Sequence, residues 1–260
     1  MTVAYTAEIS PPPLWLALAE LPRALVELVT LPFTAPMLAG APRGDGHAVL
    51  VLPGFVSSDV STSMLRLYLR SLGYDAQPWE LGRNLGWKSI GRESEKLAAR
   101  LQILRARTGG KVSLIGWSLG GVMARQLAQK LPDDVRQVIT LGAPFTGNAR
   151  ASSIAKLYEH VAGELVDGDF MKRILAECRA PLRVPTTAIY SYGDGIVAWR
   201  NCIERSGQRT ENIAVRGSHS GLTINPAALF AIADRLAMRD GSWHPFAPTG
   251  WRASAYPTPA

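Results

Sequence analysis

Val112-Ser113-Leu114-Ile115-Gly116-Trp117-Ser118-Leu119-Gly120-Gly121 is the stretch that decides how this chain is read. An apolar, β-prone run ends in the pattern Gly116-x-Ser118-x-Gly120 and passes into Val122-Met123-Ala124-Arg125-Gln126-Leu127-Ala128, which reads as a helix. Strand, sharp turn, helix is the context that lifts a serine hydroxyl clear of the strand ends. Glycines two residues either side of Ser118 remove Cβ atoms that would collide with the neighbouring strand and helix. The helix start behind the serine aims free N–H groups and a positive dipole end at the same point. A tight structural turn is the alternative reading; the flanking pattern favours a nucleophile.

A serine hydroxyl needs a base to become a nucleophile. The chain has four histidines. His160 lies in a helical stretch and reads as a surface or cap residue. His244 sits in a proline-containing tail with no strand end to hold it. His219 lies in Gly217-Ser218-His219-Ser220-Gly221, a loop between an expected strand at 211–215 and an expected helix at 226–238. The companion acid should cap the strand before that one. Residues 186–192, β-branched and aromatic, read as a buried strand, and Gly193-Asp194-Gly195 follows it. Asp194 then stands at a strand's C-terminal end, where open α/β sheets place functional groups. A plain Asp-Gly turn is the alternative. Asp167 and Asp169 are rival acids with no strand before them.

Acyl chemistry also needs donors for a developing oxyanion. The backbone N–H of Leu119, the residue after the serine, is one candidate. The other is the N–H of Phe55 in Pro53-Gly54-Phe55, the loop after an expected strand at 48–52. Further strands are expected at 74–79, 112–116 and 137–141, with helices at 60–72, 88–107 and 119–131. This alternation predicts an α/β fold with a mostly parallel, doubly wound sheet flanked by helices. Residues 148–185 interrupt the rhythm and are expected to form a small helical cap over an acyl pocket. Ile154, Leu157, Leu165 and Phe170 would then touch the acyl group. Trp117, Phe145, Trp79, Trp87 and Trp199 are further pocket candidates, although tryptophans more often pack in cores.

Taken together, Pro53-Gly54-Phe55, Gly116-Trp117-Ser118-Leu119-Gly120-Gly121, Asp194-Gly195-Ile196-Val197 and Gly217-Ser218-His219-Ser220-Gly221-Leu222 resemble the α/β-hydrolase superfamily, in its lipase and esterase branch. The resemblance covers roughly residues 47–238. It implies a Ser118–Asp194–His219 triad in the chain order nucleophile, acid, base, which sets His47 aside, and it implies no cofactor. One departure is that many relatives carry His-Gly where this chain has Pro53-Gly54. The segment 79–86 also looks like a loop of some bacterial lipase-like members, with no role carried over.

Composition fits a compact enzyme, since 260 residues at 47% hydrophobic can bury one full core. The formal net charge of +7 invites a nucleic-acid partner. However, the basic residues Lys88, Arg92, Lys96 and Arg100 read as one solvated helix stripe, and no nucleic-acid module accompanies them. Cys178 and Cys202 suggest free thiols in a reducing, cytoplasmic setting, and no Cys/His cluster has metal-ligand spacing. Residues 1–13 carry no Lys or Arg, so a secretory signal is not expected. Glu20, Pro22, Arg23 and Glu27 interrupt the apolar run that a membrane span would need. Leu14, Leu18, Leu21, Leu25 and Leu28 fall on one helical face. Residues 1–46 are therefore expected to be helical and docked on the body (47–240), with a peripheral membrane contact or a dimer face as alternatives. Residues 241–260 read as a surface arm. The expected chemistry is ester hydrolysis of a small-molecule or lipid substrate through an acyl-enzyme. Acyl transfer, thioester or amide cleavage by the same residues, and a silent binding module, are the alternatives.

Overall fold

Residues 48–52 are apolar at every position, the pattern of a parallel strand covered on both faces. In the computed structural model, which describes residues 9–148, 150–205 and 207–259, they form one of six strands in a single parallel sheet. In chain order the elements are α1 (Leu14–Leu18), α2 (Glu20–Thr30), α3 (Ala35–Leu38), β1 (Ala48–Leu52), α4 (Ser63–Ser71), β2 (Asp75–Pro78), α5 (Trp87–Ile90) and α6 (Glu95–Thr108). They continue with β3 (Val112–Trp117), α7 (Leu119–Lys130), β4 (Val135–Leu141), α8 (Ala155–Ala162), α9 (Asp169–Arg179), β5 (Thr186–Ser191), β6 (Thr210–Val215) and α10 (Pro226–Leu236). The strand order is β2-β1-β3-β4-β5-β6, with every neighbouring pair parallel.

Side chains alternate along β1 between two cores. Leu50 and Leu52 join one with α6, α7 and α9, whereas Val49 and Val51 join the other with α3, α4 and α10. The strand order reverses between β1 and β3. The chain runs outward to β2 and then crosses back, so the loops after β1 and β3 diverge and leave a crevice at their C-terminal ends. The 53–55 loop and Ser118 both open onto that crevice. α10 begins where Asn225-Pro226 announces it. The Asn225 side chain accepts from the Ala228 N–H at 3.1 Å, and Pro226 takes a first-turn place that needs no donor.

Two expectations are corrected. The helix expected over 88–107 is broken at Gly91–Ser94, where Gly91 (φ +87°) and Ser94 (φ +64°) turn the chain. Lys88 and Arg92 therefore leave the stripe shared with Lys96 and Arg100. Lys88 Nζ donates to the Val161 carbonyl at 2.9 Å, and Arg92 pairs with Glu164 at 3.1 Å.

The second correction concerns the N-terminal segment, whose residues 1–8 lie outside the described residues. Within it, α2 meets the 193–195 and 217–221 loops by its polar side. Leu14, Leu18, Leu21 and Leu25 are exposed, while Glu20 is buried at 3%. The reason is that backbone N–H groups of two loops converge on the Glu20 carboxylate and need an acceptor. Among the described residues no helix is long and apolar enough to cross a membrane. Cys178 and Cys202 are both buried free thiols, and burial pushes the Cys178 thiol up to about 12.

Candidate active site

Ser118 occupies the turn between β3 and α7 with φ +54° and ψ −125°, a backbone shape that a residue with a side chain adopts only under constraint. Its N–H donates to the Leu141 carbonyl at 2.8 Å, which ties the turn to the end of β4. The glycines explain how the turn fits. A Cβ at Gly120 would stand 2.6 Å from the Leu52 and Pro53 carbonyl oxygens, and one at Gly116 would meet the Gly120 backbone. Gly54 lies against the serine from the other side, since a Cβ there would be 3.2 Å from the Ser118 Cβ.

His219 and Asp194 are in direct contact, with Nδ1 to Oδ2 at 2.6 Å, and both are buried. The other Asp194 oxygen accepts from the Ile196 and Val197 N–H groups at 2.9 and 2.7 Å, so the carboxylate has no freedom to turn. Gly142, the residue after Leu141, faces the pair closely: a Cβ there would be 3.0 Å from His219 Nδ1 and 3.2 Å from Asp194 Oδ2. The serine turn and the His–Asp pair thus meet at the end of β4. The His219 carbonyl accepts from Trp117 Nε1 at 3.1 Å, which links the histidine loop to the residue preceding the serine. Burial alone would push the His219 imidazole down. The charge and hydrogen bond of Asp194, and the charge of Glu20, outweigh it and hold the pKa above the usual histidine value.

The other histidines and acids lie elsewhere. His47 contacts Ser113 Oγ at 2.8 Å, near the start of β3 and away from its C-terminal end. His160 is exposed on α8. Asp167 pairs with Arg150 at 2.7 Å, and Asp169 is fully solvent-exposed.

Leu119 opens α7, so its N–H belongs to the first turn, where no intrahelical acceptor exists. The Phe55 loop is held from below by a residue that sequence reasoning left without a role. Asn84, fully buried, donates through Nδ2 to the Pro53 carbonyl at 2.8 Å. Its backbone carbonyl accepts from Val56 N–H at 2.7 Å, and its own N–H donates to the Ser57 carbonyl at 2.8 Å. Asparagine in a Gly-Arg-Asn-Leu-Gly run, a run rich in loop formers, was the one available signal.

An apolar cavity of about 70 Å³ adjoins Ser118, bounded by Phe55, Leu119, Val122, Pro144 and Val197. The 148–185 segment contributes Ile154, Tyr158, Val166, Met171 and Leu175 to its wall. Phe145, Phe170 and Trp117 do not line it. Phe145 is buried under the Arg125 guanidinium, 3.9 Å from its ring centre. Phe170 packs edge-on against Trp87 at 5.7 Å, between Arg92 and Arg173. Trp117 is turned toward the His219 loop by its indole hydrogen bond.

Glu20 and Glu27 of α2 also reach this site, which sequence reasoning missed. Glu20 accepts from the Gly195, His219 and Ser220 N–H groups, and Glu27 accepts from Ser218 N–H and Oγ. Their seven-residue spacing, two helical turns on the side away from the leucines, was a visible signal.

A sequence family described as the α/β hydrolase fold matches residues 93–176. A stretch of 102 residues is 33% identical to the biotin biosynthesis bifunctional protein BioHC of Cellvibrio japonicus (strain Ueda107), covering 39% of this chain and 19% of that protein. Among solved structures, Aspergillus fumigatus lipase B is similar with a TM-score of 0.62 at 19% identity, over 79% of this chain and 56% of that one. Bacillus licheniformis lipase BlEst2 gives 0.54 at 18% identity, over 77% and 95%. Paleococcus ferrophilus monoacylglycerol lipase gives 0.52 at 14%, over 74% and 96%. The chain therefore spans about a fifth of the curated relative and little more than half of the Aspergillus lipase. At these identities the structural likeness is one of fold. The chain thus has the fold of these lipases, and its residues 93–176 match the sequence family described as the α/β hydrolase fold.

Proposed function

We propose that this protein hydrolyses carboxylic esters through a serine-bound acyl intermediate. The observation that carries the reading is the constrained Ser118 turn, opening on an apolar cavity and meeting the buried His219–Asp194 pair at the end of β4. Ser118 Oγ attacks the ester carbonyl as His219 Nε2 takes its proton. Asp194 holds Nδ1 protonated and stabilises the imidazolium that forms. The Phe55 and Leu119 N–H groups receive the oxyanion. The alkoxide leaves with the proton from His219, and water, deprotonated by the same imidazole, releases the acid and restores the serine. The lipases among the structural neighbours support an ester as substrate. The cavity favours a short acyl group, because at about 70 Å³ it is smaller than the ~150 Å³ apolar cavity that admits benzene.

A fluorophosphonate probe and a panel of p-nitrophenyl esters test this reading. The wild-type protein should be labelled at Ser118 and should turn over acetate and butyrate esters. Ser118→Ala should lose labelling and at least about a thousandfold in kcat with an unchanged melting temperature. A wild-type protein that takes no label and turns over no ester would be a binding module on this fold.

A further inference from the structure

Two loops carry the His–Asp pair, and neither is near α2 in sequence. Glu20 nevertheless sits between them. Its Oε1 accepts from Gly195 N–H at 2.8 Å, in the Asp194 loop, and from His219 N–H at 3.1 Å. Its Oε2 accepts from Ser220 N–H at 3.1 Å. One buried carboxylate thus closes three backbone donors that surround the proposed acid and base. Glu27, two turns along the same helix, takes the Ser218 N–H at 2.7 Å and its hydroxyl at 3.0 Å. Between them, Arg23 Nη1 donates to the Gly193 carbonyl at 2.7 Å.

An independent observation shows that these surfaces are shaped for each other. A Cβ at Gly195 would lie 2.8 Å from the Ala17 nitrogen of α1, and one at Gly193 would lie 2.8 Å from Arg23 Nη2. A Cβ at Gly221 would fall on the Glu27 carboxylate. Both loops omit side chains where the N-terminal helices press on them. The leucine face of the same helices is left in solvent, so these polar contacts, not apolar burial, seat α2 here.

We propose that Glu20 is a positioning residue of the active site, a carboxylate brought by α2 to lock the Asp194 loop to the His219 loop. The proposal rests on the reading of Ser118, His219 and Asp194 given above. The His219 backbone is then gripped at both ends, by Glu20 at its N–H and by Trp117 at its carbonyl. Glu20 also places a negative charge close to the imidazole. The charged groups around His219 are Asp194 from the β5 loop and Glu20, Arg23 and Glu27 from α2. Removing the Glu20 charge removes one contribution that favours the imidazolium.

The test compares Glu20→Gln, Glu20→Asp and the exposed control Leu21→Gln in the full chain, by kcat, KM, melting temperature and pH profile on a short p-nitrophenyl ester. Glu20→Gln keeps the shape but offers an amide N–H to a site of three donors. It should lower kcat by about a hundredfold through displacement of the imidazole, with KM changed far less. The neutral imidazole is the base, so kcat/KM rises as pH passes its pKa. With the Glu20 charge gone, that acid limb should move to lower pH. Glu20→Asp keeps the charge but not the reach, so its limb should stay near wild type while kcat falls. Leu21→Gln should behave as wild type. A folded Glu20→Gln with wild-type kcat and acid limb overturns the proposal, as does a loss that follows melting temperature alone with no shift of the limb. Should Glu20→Gln not fold, a Glu20→Asp with unchanged kcat overturns it. Fluorophosphonate labelling of the wild type separates the two layers: no label at Ser118 defeats both the site reading and the proposal, whereas normal labelling confines a failure to Glu20.

Discussion

At Ser118 the backbone stores strain of about 1–3 kcal/mol, and its neighbours show what sustains it. The Leu141 carbonyl holds the N–H, and the glycines at 116 and 120 let β3, α7 and the β1 loop close around the turn. The partner pair is equally constrained, since both Asp194 oxygens are occupied, one by His219 Nδ1 and one by two backbone donors. Asp194→Asn keeps this shape but can present an N–H to the imidazole and favour the wrong tautomer. Turnover should fall by about 10⁴-fold, as for the acid of a serine triad. The sign of the pH effect follows from the same contact. Asp194 raises the His219 pKa against the downward push of burial. With asparagine, burial prevails and the acid limb of residual kcat/KM should move to lower pH. A residual activity whose limb stays in place would detach Asp194 from the base.

At the scale of elements, the 148–185 segment lines the cavity with the expected Ile154 but otherwise, on α8 and α9, with residues other than those expected. Met171 and Leu175, one turn apart on α9, face it together with Tyr158 of α8. Leu157 and Leu165, expected to touch an acyl chain, are exposed, and Phe170 packs outward on Trp87. An amphipathic pattern marks an apolar stripe, but not which edge of the stripe meets a neighbour and which meets solvent. Met171→Ala should therefore deepen the cavity, whereas Phe170→Ala should not. Two further buried methylenes, at about 0.8 kcal/mol each, amount to roughly tenfold. The ratio of octanoate to acetate kcat/KM should rise by about that factor in Met171→Ala and stay constant in Phe170→Ala. Equal ratios in both variants would place the acyl site elsewhere.

Across the whole molecule, a buried ion pair joins α7, the helix that follows Ser118, to distant chain. Arg125 of α7 has no exposed side-chain surface; it pairs with Glu204, donates to the Cys178 carbonyl at 2.8 Å and lies over the Phe145 ring. Burial raises the Glu204 carboxyl pKa, and Arg125 works against that rise. Removing one partner strands the other charge in the interior, at a cost of about 3–5 kcal/mol. Glu204→Ala should thus lower the melting temperature by on the order of 10 °C. It should leave the pH limb assigned to His219 in place, because Glu204 does not touch that residue. A melting temperature within a degree or two of wild type would mean that Arg125 finds other compensation.

The sequence by itself determined the features that depend on neighbours along the chain. The strand–turn–helix around Ser118 follows from glycine spacing, the parallel sheet from alternating apolar runs, and the start of α10 from Asn225-Pro226, because each is set within a few residues by local sterics and hydrogen bonding. The loop placement of Asp194 and His219 at strand ends was legible for the same reason. Tertiary structure alone decided what crosses long distances. It brought Glu20 to His219 over 199 residues and Asn84 to Pro53 over 31, and it buried Arg125 against Glu204. It also turned the leucine face of α2 outward, against the ordinary expectation that the apolar side docks. Here a carboxylate that satisfies three backbone N–H groups sets the helix's orientation, since leaving such donors buried without partners costs about 1–3 kcal/mol each. Helical periodicity carries no information about where such donors will stand.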